Sequence, residues 1–509
     1  MTLARSFAVA LSGVTGHLVE IEADLSAGLP GMAFTGLADT SVVEARDRIR
    51  AALGNCGVDW PNRKITVALL PADIRKVGSR FDLALALAVL GSAEQVPITP
   101  IAGAAWIAEL GLDGRLRPVR GVLPSVVTAH RAGVRRVVVA PANAAEASLV
   151  RGMDVRAAHD LREVITWLRG EGPAPAPAVA DADDVQRFAG PDLQDVAGQG
   201  AAKRALEVAA AGGHHIYLVG CPGAGKTMLA ERLPGLLPQL DDDASLEVTA
   251  VHSVAGLLGE QARLIRRAPL QAPHHTASVA SLVGGGSHLA RPGAISLAHH
   301  GVLFLDEAPE FSPRALDALR QPLESGRVVL HRGGGAVDYP ARFQLVLAAN
   351  PCPCGSRARE CTCPPQSRRR YQQRLSGPLL DRIDVRIQVD PVPHAELFDT
   401  SEHESSASVA ARVASARQAA AHRWRSTPWR LNAAVPGSAL RNAPWALPHA
   451  VLQPAEAYLQ RGEISARGFD RVIRLAWTVA DLAGRSVPDA GDVAEALFFR
   501  TGERGAWAA

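Results

Sequence analysis

The chain has 509 residues, of which 47% are hydrophobic and 21% charged, and a formal net charge of +3. That mix suits a soluble globular protein of roughly two to four domains, and the near-neutral total gives no reason by itself to expect a nucleic-acid partner. Of six cysteines, Cys56 and Cys221 stand alone and the other four are clustered, which excludes a secreted disulfide framework, and no apolar stretch approaches the ~18 residues of a membrane span. In chain order, MTLARSFAVALSGVTG has one arginine, a short apolar stretch and no cleavage site. It reads as a first strand, not a signal peptide, and a cytoplasmic location is expected. Residues 1–170 read as one α/β unit: the strands HLVEIEADL, KITVALL and RRVVVA alternate with helices over Ser41–Leu53, Asp82–Leu90 and Ser125–Arg131. Residues 171–190, with EGPAPAPAVADADD, read as a stiff solvated linker. Residues 191–395 alternate strands and helices again, with long insertions, and residues 396–509 are helical. There Phe469, Val472, Ile473, Ala476, Val479 and Leu482 fall at helical spacing on one apolar face.

Two local imbalances stand out from this background. Lysine occurs only at Lys64, Lys76, Lys203 and Lys226 among 54 basic residues. Residues 351–374 carry six arginines and one acid, whereas residues 375–509 balance to zero.

The apolar strand Ile216-Tyr-Leu-Val219 runs into Gly220-Cys221-Pro222-Gly223-Ala224-Gly225-Lys226-Thr227 and then a helix that begins at Met228. G-x-x-x-x-G-K-T between a strand and a helix is a phosphate-binding loop: its backbone N–H groups close around a nucleotide's β-phosphate at a helix N-terminus. The ligands expected are ATP and Mg²⁺, with Lys226 reaching the β- and γ-oxygens and Thr227 ligating the metal. An arginine fork does not replace a compact ammonium there. Gly301-Val-Leu-Phe-Leu305 is a buried strand ending in Asp306 and Glu307. Adjacent carboxylates at such a place are hard to explain as packing. Asp306 is expected to hold Mg²⁺ through its water shell and Glu307 to polarise the attacking water. A third core strand, Phe343–Ala349, ends in Asn350, placed to orient the water or sense the γ-phosphate, or else simply a strand-end turn former. In Leu379-Leu-Asp381-Arg382-Ile-Asp384 the arginine is either a local ion pair or a finger donated to a neighbouring subunit's γ-phosphate. Arg467, at the start of the late helix, is either a surface arginine or a contact to the nucleotide.

Cys352-Pro-Cys354 and Cys361-Thr-Cys363 place four thiols in twelve residues, a set that suits tetrahedral Zn²⁺ or else four free surface thiols. Arg357, Arg359, Arg368, Arg369, Arg370 and Arg374 surround them, and Arg332 lies beside the run Gly333–Gly335. Arginines on a metal-pinned loop suit phosphate-backbone contact; the alternative is a basic surface balancing acidic neighbours. The pair His274-His275 is expected on one strand with side chains opposed, which favours polar packing or DNA contact over metal binding. His299 and His300 are grouped with them.

Taken together these motifs resemble the AAA+ ATPases, and within them the Mg-chelatase-like family of YifB/ComM type. The most specific pieces are GLPGMAFTGLADTSVVEARDRIRAAL, APHHTASVASLVGGGSHLARPGAISLAHHGVLFLDE, AANPCPCG, SGPLLDRID and SARGFDRVIRLAWTVADL, and the likeness covers nearly the whole chain. Ala294 departs from the pattern, where an acidic residue is expected. The resemblance implies an α/β fold with a Lon-protease-like N-terminal domain, an AAA+ core with a helix-2 insert and a pre-sensor-1 hairpin, and a helical C-terminal lid. It implies Asn350 as sensor 1, Arg382 as finger and Arg467 as sensor 2. It also implies a ring, usually hexameric, that moves on single-stranded or branched DNA and drives branch migration in recombination during natural transformation. The alternative is a chelatase-type subunit that remodels a protein partner for metal insertion. A peptidase is the weaker reading. A Ser–Lys dyad needs a lysine on the second segment, yet the two segments read Lys76-Val-Gly-Ser79-Arg80 and Arg120-Gly-Val-Leu123-Pro124-Ser125.

Overall fold

The computed structural model describes residues 3–178, 190–286, 290–332, 335–355, 361–397 and 403–502. It contains two main sheets. The first has eight strands in the order Ala176–Pro177, Asp154–Ala157, Arg136–Val139, Ala105–Ile107, Ala4–Ser12, Thr15–Ser26, Lys64–Leu70 and Gly31–Thr35. Ala4–Ser12 and Thr15–Ser26 form a hairpin closed at Ser12↔Thr15, with Gly13 at φ 64°, in the left-handed region a tight turn requires. Every residue of the helix Asp82–Ser92 is buried. Its one carboxylate, Asp82, is held by Arg48 through Nε at 2.7 Å and NH2 at 2.8 Å, the bidentate pairing that makes a buried charge tolerable.

The second sheet is wholly parallel, in the order Leu270–Gln271, Val302–Leu305, Gln344–Ala349, Ile216–Gly220 and Val385–Val389. The strands Val302–Leu305 and Gln344–Ala349 are buried on both faces, which explains their unbroken apolar runs. Val219 pairs with Ala349, and Leu305 with Leu347. The chain therefore leaves three neighbouring strands at one edge, where α/β sheets bind ligands. This is a mixed α/β fold whose second sheet is wholly parallel. The helices Ser406–Arg423, His449–Gln460, Ala466–Leu482 and Ala490–Thr501 follow it. The face read from Val472 to Val479 is buried in the core of this sheet, except Ile473, which joins a separate tryptophan-rich cluster. Among the described residues no helix is long and apolar enough to cross a membrane.

The two sheets are joined through buried polar groups. The Arg80 guanidinium donates to Ser125 Oγ at 3.2 Å and to the Arg120 carbonyl at 2.8 Å, so the two segments compared above with a peptidase dyad meet through an arginine. Burial brings its pKa down to about 10, against the pull of Glu146. Glu146 accepts from the Leu123 amide at 2.8 Å and from the Ser253 hydroxyl, while the Gly121 amide donates to the Ser253 carbonyl at 3.2 Å. Ser253 belongs to the helix Asp242–Ala255, whose Leu246 and Ala250 pack on the N-terminal cluster. This junction thus carries an immobilised cation and a docked helix.

Candidate nucleotide site

The strand Ile216–Gly220 turns through Cys221–Gly225 into the helix Lys226–Leu236. Gly223 (φ 76°) and Gly225 (φ 93°) lie in the left-handed region, and a Cβ at either would meet nothing within 4 Å. Backbone conformation, not crowding, reserves them for glycine, and it leaves a cradle open above the loop. Gly220 is constrained differently: a Cβ there would lie 2.3 Å from the Val389 carbonyl oxygen. Lys226 is 8% exposed, and its Nζ donates to the carbonyls of Gly220 (2.8 Å) and Cys221 (3.0 Å) and to Asn350 Oδ1 (3.1 Å). Burial lowers its pKa, and Asp306, Cys221 and Glu307 oppose that. A buried ammonium held only by neutral acceptors is poised for an anionic partner.

Thr227 Oγ1 donates to Asp306 Oδ2 at 2.8 Å, which puts a hydroxyl and a carboxylate together, the oxygen set a magnesium ion takes. The Glu307 amide donates to Asp306 Oδ1 at 2.8 Å, and Glu307 itself sits at φ 49°. A non-glycine residue in that region carries backbone strain that clusters at functional sites. A cavity of about 350 Å³ is lined by Pro222, Gly223, Gly225, Lys226, Thr227, Met228, Asp306, Glu307, Ala349 and Asn350. Gly220, Cys221 and Ala224 are not part of that lining and serve the loop from behind. The open cradle, the unneutralised ammonium and the paired oxygens fit a nucleotide triphosphate with its magnesium.

One expectation about the histidines is corrected. His274 and His275 lie in a turn beyond the strand Leu270–Gln271, with rings 4.1 Å apart, so they are not opposed on a strand. His275 Nδ1 lies 3.1 Å from Glu307 Oε2, at the site itself. In the sequence only the pair His274-His275 marks this contact, and a strand at that place sets the two side chains opposite each other. His299 is 1% exposed, a buried polar group. Its Nδ1 accepts from the Arg342 amide at 3.0 Å, so the proton is on Nε2, which faces Glu247 at 3.0 Å. That tautomer leaves no lone pair for a metal, although Glu247, His299 and His300 gather closely.

Arg382 and Arg467 are brought together, but away from this chain's own loop. Both line a second cavity of about 340 Å³ with Glu324, Asp384, Arg471 and Arg474, and it shares no residue with the first. Arg382 donates to the Pro378 carbonyl at 2.6 Å and to Glu324. Asp384 is 2% exposed, and Arg471 pairs with it, as does His214 at 3.3 Å. Burial alone raises the pKa of Asp384, yet Arg471 and His214 hold it well below the carboxylate range. Burial lowers the pKa of neighbouring His215 to about 4.

Directly after Asn350, the sulfurs of Cys352, Cys354, Cys361 and Cys363 lie within 4.8 Å of one another, with Cys352–Cys354 at 3.1 Å and Cys352–Cys361 at 3.4 Å. Sulfurs about 2.3 Å from one tetrahedral zinc are separated by about 3.8 Å, so the four thiols fit that group. Gly355 closes this segment against the loop, where a Cβ would lie 2.7 Å from Pro222 Cγ. Arg368, Arg369 and Arg370 are exposed on the helix Pro365–Gln373, whereas Arg374 bonds Glu310 at 2.7 Å. Arg357 and Arg359 fall outside the described residues. Arg332 ends one strand of the hairpin Arg327–Arg332/Gly335–Pro340, and its side chain is likewise outside them.

Residues 192–397 match the family described as magnesium chelatase, subunit ChlI; residues 21–143 match subunit ChlI of Mg-chelatase, and residues 403–500 its C-terminal part. The protein Rv2897c of Mycobacterium tuberculosis is 53% identical over 99% of this chain and 100% of its own. The YifB protein of Escherichia coli is 40% identical, covering 99% of this chain and 98% of its own. The competence protein ComM of Haemophilus influenzae is 40% identical, covering 98% of each.

Proposed function

The chain belongs to the Mg-chelatase-like family of YifB/ComM type, and from that premise we propose that it is an ATP-hydrolysing ring motor acting on DNA. The observation that carries the ATPase reading is the convergence of Lys226, Thr227, Asp306, Glu307 and Asn350 on one cavity. Lys226 binds phosphate oxygens, and Thr227 and Asp306 hold the magnesium, directly and through its water. Glu307 polarises the attacking water while Asn350 orients it. Bound magnesium neutralises charge on the phosphates.

The second cavity supports assembly. Arg382 and Arg467 face a space that this chain's own loop does not line, so both act on the nucleotide of an adjacent copy. The ring, which we take as hexameric, thereby completes each site. Asp384 and Arg471 tie the finger segment to the helix Ala466–Leu482, so movement of that helix reaches Arg382 two residues away.

The DNA reading rests on the exposed arginines 368–370 beside the thiol cluster, and on a ComM relative named for competence. The four cysteines hold structural zinc, which pins that segment next to the loop. The cytoplasm is the compartment this reading requires, and integration of DNA during transformation is the process. The N-terminal sheet, proposed as Lon-like, serves as a scaffold, because the second segment, Arg120–Ser125, carries no lysine to act as a base and Arg80, at the nucleophile's segment, is itself bonded to Ser125. A chelatase-type motor remodelling a protein partner shares the ATP site but gives exposed arginines no role.

Arg368→Ala/Arg369→Ala/Arg370→Ala is expected to weaken DNA binding uniformly across sequences and to flatten its salt dependence by about 2 in log–log slope for a single strand. Fluorescence anisotropy over a salt series reads this, and an unchanged slope moves the DNA surface elsewhere. Elemental analysis of protein purified under reducing conditions is expected to find about one zinc per chain. Metal-free protein with intact ATPase activity contradicts the tetrathiolate site.

A further inference from the structure

Residues 405–455 contain six arginines and no aspartate or glutamate. The acids that balance them lie outside this stretch, so the total over 375–509 conceals it. Four of the arginines are engaged. Arg412 bonds Glu207 at 2.6 Å as well as Glu404, and Arg417 donates to the Ala210 carbonyl at 2.6 Å. Arg423 pairs with Asp481 and lies 4.3 Å from the centroid of the Trp477 ring, and Arg441 pairs with Asp470. Arg425 and Arg430 differ. Both are exposed, and their hydrogen bonds go to His422 (2.8 Å) and to the carbonyls of Thr427 and Trp429 (2.9 Å each).

The same stretch repeats a pattern, R-x-x-P-W, as Arg425-Ser-Thr-Pro428-Trp429 and Arg441-Asn-Ala-Pro444-Trp445. Both turns deliver their tryptophan to one place. The two rings are 6.1 Å apart at 74°, edge to face, and both are only half-buried. Trp424 lies fully buried beneath them, 4.9 Å from Trp445 and 6.1 Å from Trp429, with its Nε1 donating to Asn432 Oδ1 at 2.9 Å. The cluster thus has a fixed floor and two indoles at its rim, flanked by the guanidiniums of Arg425 and Arg430, which pair with no carboxylate among the described residues. Packing accounts for Trp424 and Trp477. Trp429 and Trp445 pack on the same cluster, yet each keeps part of its ring in water beside the exposed Arg425 and Arg430.

We infer that Trp429 and Trp445, with Arg425 and Arg430, form a stacking platform for the unpaired bases of a single-stranded nucleic acid. Indole faces take bases of any identity, and adjacent arginines take the phosphates between them. A duplex hides its base faces, and an acidic peptide uses the charge but not the indoles. The site rests on the DNA reading for its ligand class, but it lies outside the cysteine segment, so the two surfaces fail separately.

The test titrates the full-length protein with oligo(dT), read by tryptophan emission and by anisotropy of a labelled strand. Stacking is expected to quench the emission. Trp429→Phe/Trp445→Phe should abolish the quenching and retain most of the binding, while Trp429→Ala should weaken binding roughly 5- to 140-fold. Arg425→Glu/Arg430→Glu alters only exposed side chains and keeps the fold. It should weaken binding and lower the log–log salt slope by about 1.4. Wild-type affinity and slope in that variant overturn the inference, and so does equal quenching by polyglutamate. If only the variant of arginines 368–370 loses binding, the DNA reading stands and this platform falls. If wild-type protein binds no oligo(dT), both fall.

Discussion

Lys226→Ala is expected to abolish nucleotide binding and with it ATP hydrolysis. In this structure the ammonium satisfies two carbonyls and the Asn350 side chain at 2.8–3.1 Å. Removing it leaves these acceptors without a donor and the phosphates without the only lysine after residue 203. Loss of one donor preorganised for a transition-state charge costs roughly 10²–10³ in rate. Here ground-state binding is lost as well, so the effect is at least that large. Binding of a fluorescent ATP analogue and release of phosphate measure the two parts. Lys226→Arg should not rescue either, because a planar fork does not fit a loop built around a point charge. Normal hydrolysis by Lys226→Ala would show that the nucleotide lies elsewhere.

Glu307→Gln is expected to keep nucleotide binding and lose turnover. The substitution preserves size, the cavity, and the hydrogen bond from the residue 307 amide to Asp306 Oδ1. It removes the base that polarises water, a contribution of roughly 10²–10⁴-fold. The variant should accumulate bound ATP and favour the assembled ring, visible as a larger species by light scattering in ATP. Turnover at the wild-type rate would move the base to another group, such as His275, 3.1 Å from the Glu307 carboxylate.

The parts of this site that were legible in the sequence are those encoded locally. The loop Gly220–Thr227, the Asp306-Glu307 pair and Asn350 each sit at the end of an apolar run, and parallel pairing brings those ends to one edge. The helix over Asp82–Leu90 was legible for the same reason, as an apolar run between turns. The parts that were not legible depend on contacts between distant segments. Nothing near His275 in sequence announces Glu307, and alternation along a strand sets His274 and His275 on opposite sides, whereas the turn brings His275 to Glu307. The ties of Asp384 to His214 and Arg471 join three segments far apart in sequence. His214 also meets Thr478, 264 residues on, at 2.8 Å. The arginine-rich stretch 405–455 was concealed by summation over a window whose acids lie elsewhere. The Arg80 junction was half legible: the missing dyad lysine was visible, but the docking of Ser253 onto Glu146 was not.

The most direct test of a DNA motor is ATP-dependent strand displacement and branch migration on forked and four-way-junction DNA, with Glu307→Gln as the control. The wild-type protein with ATP and magnesium is expected to convert both substrates, while Glu307→Gln binds them and moves neither. Robust ATP hydrolysis with no movement of any DNA substrate would contradict the account and favour a motor that remodels a protein partner.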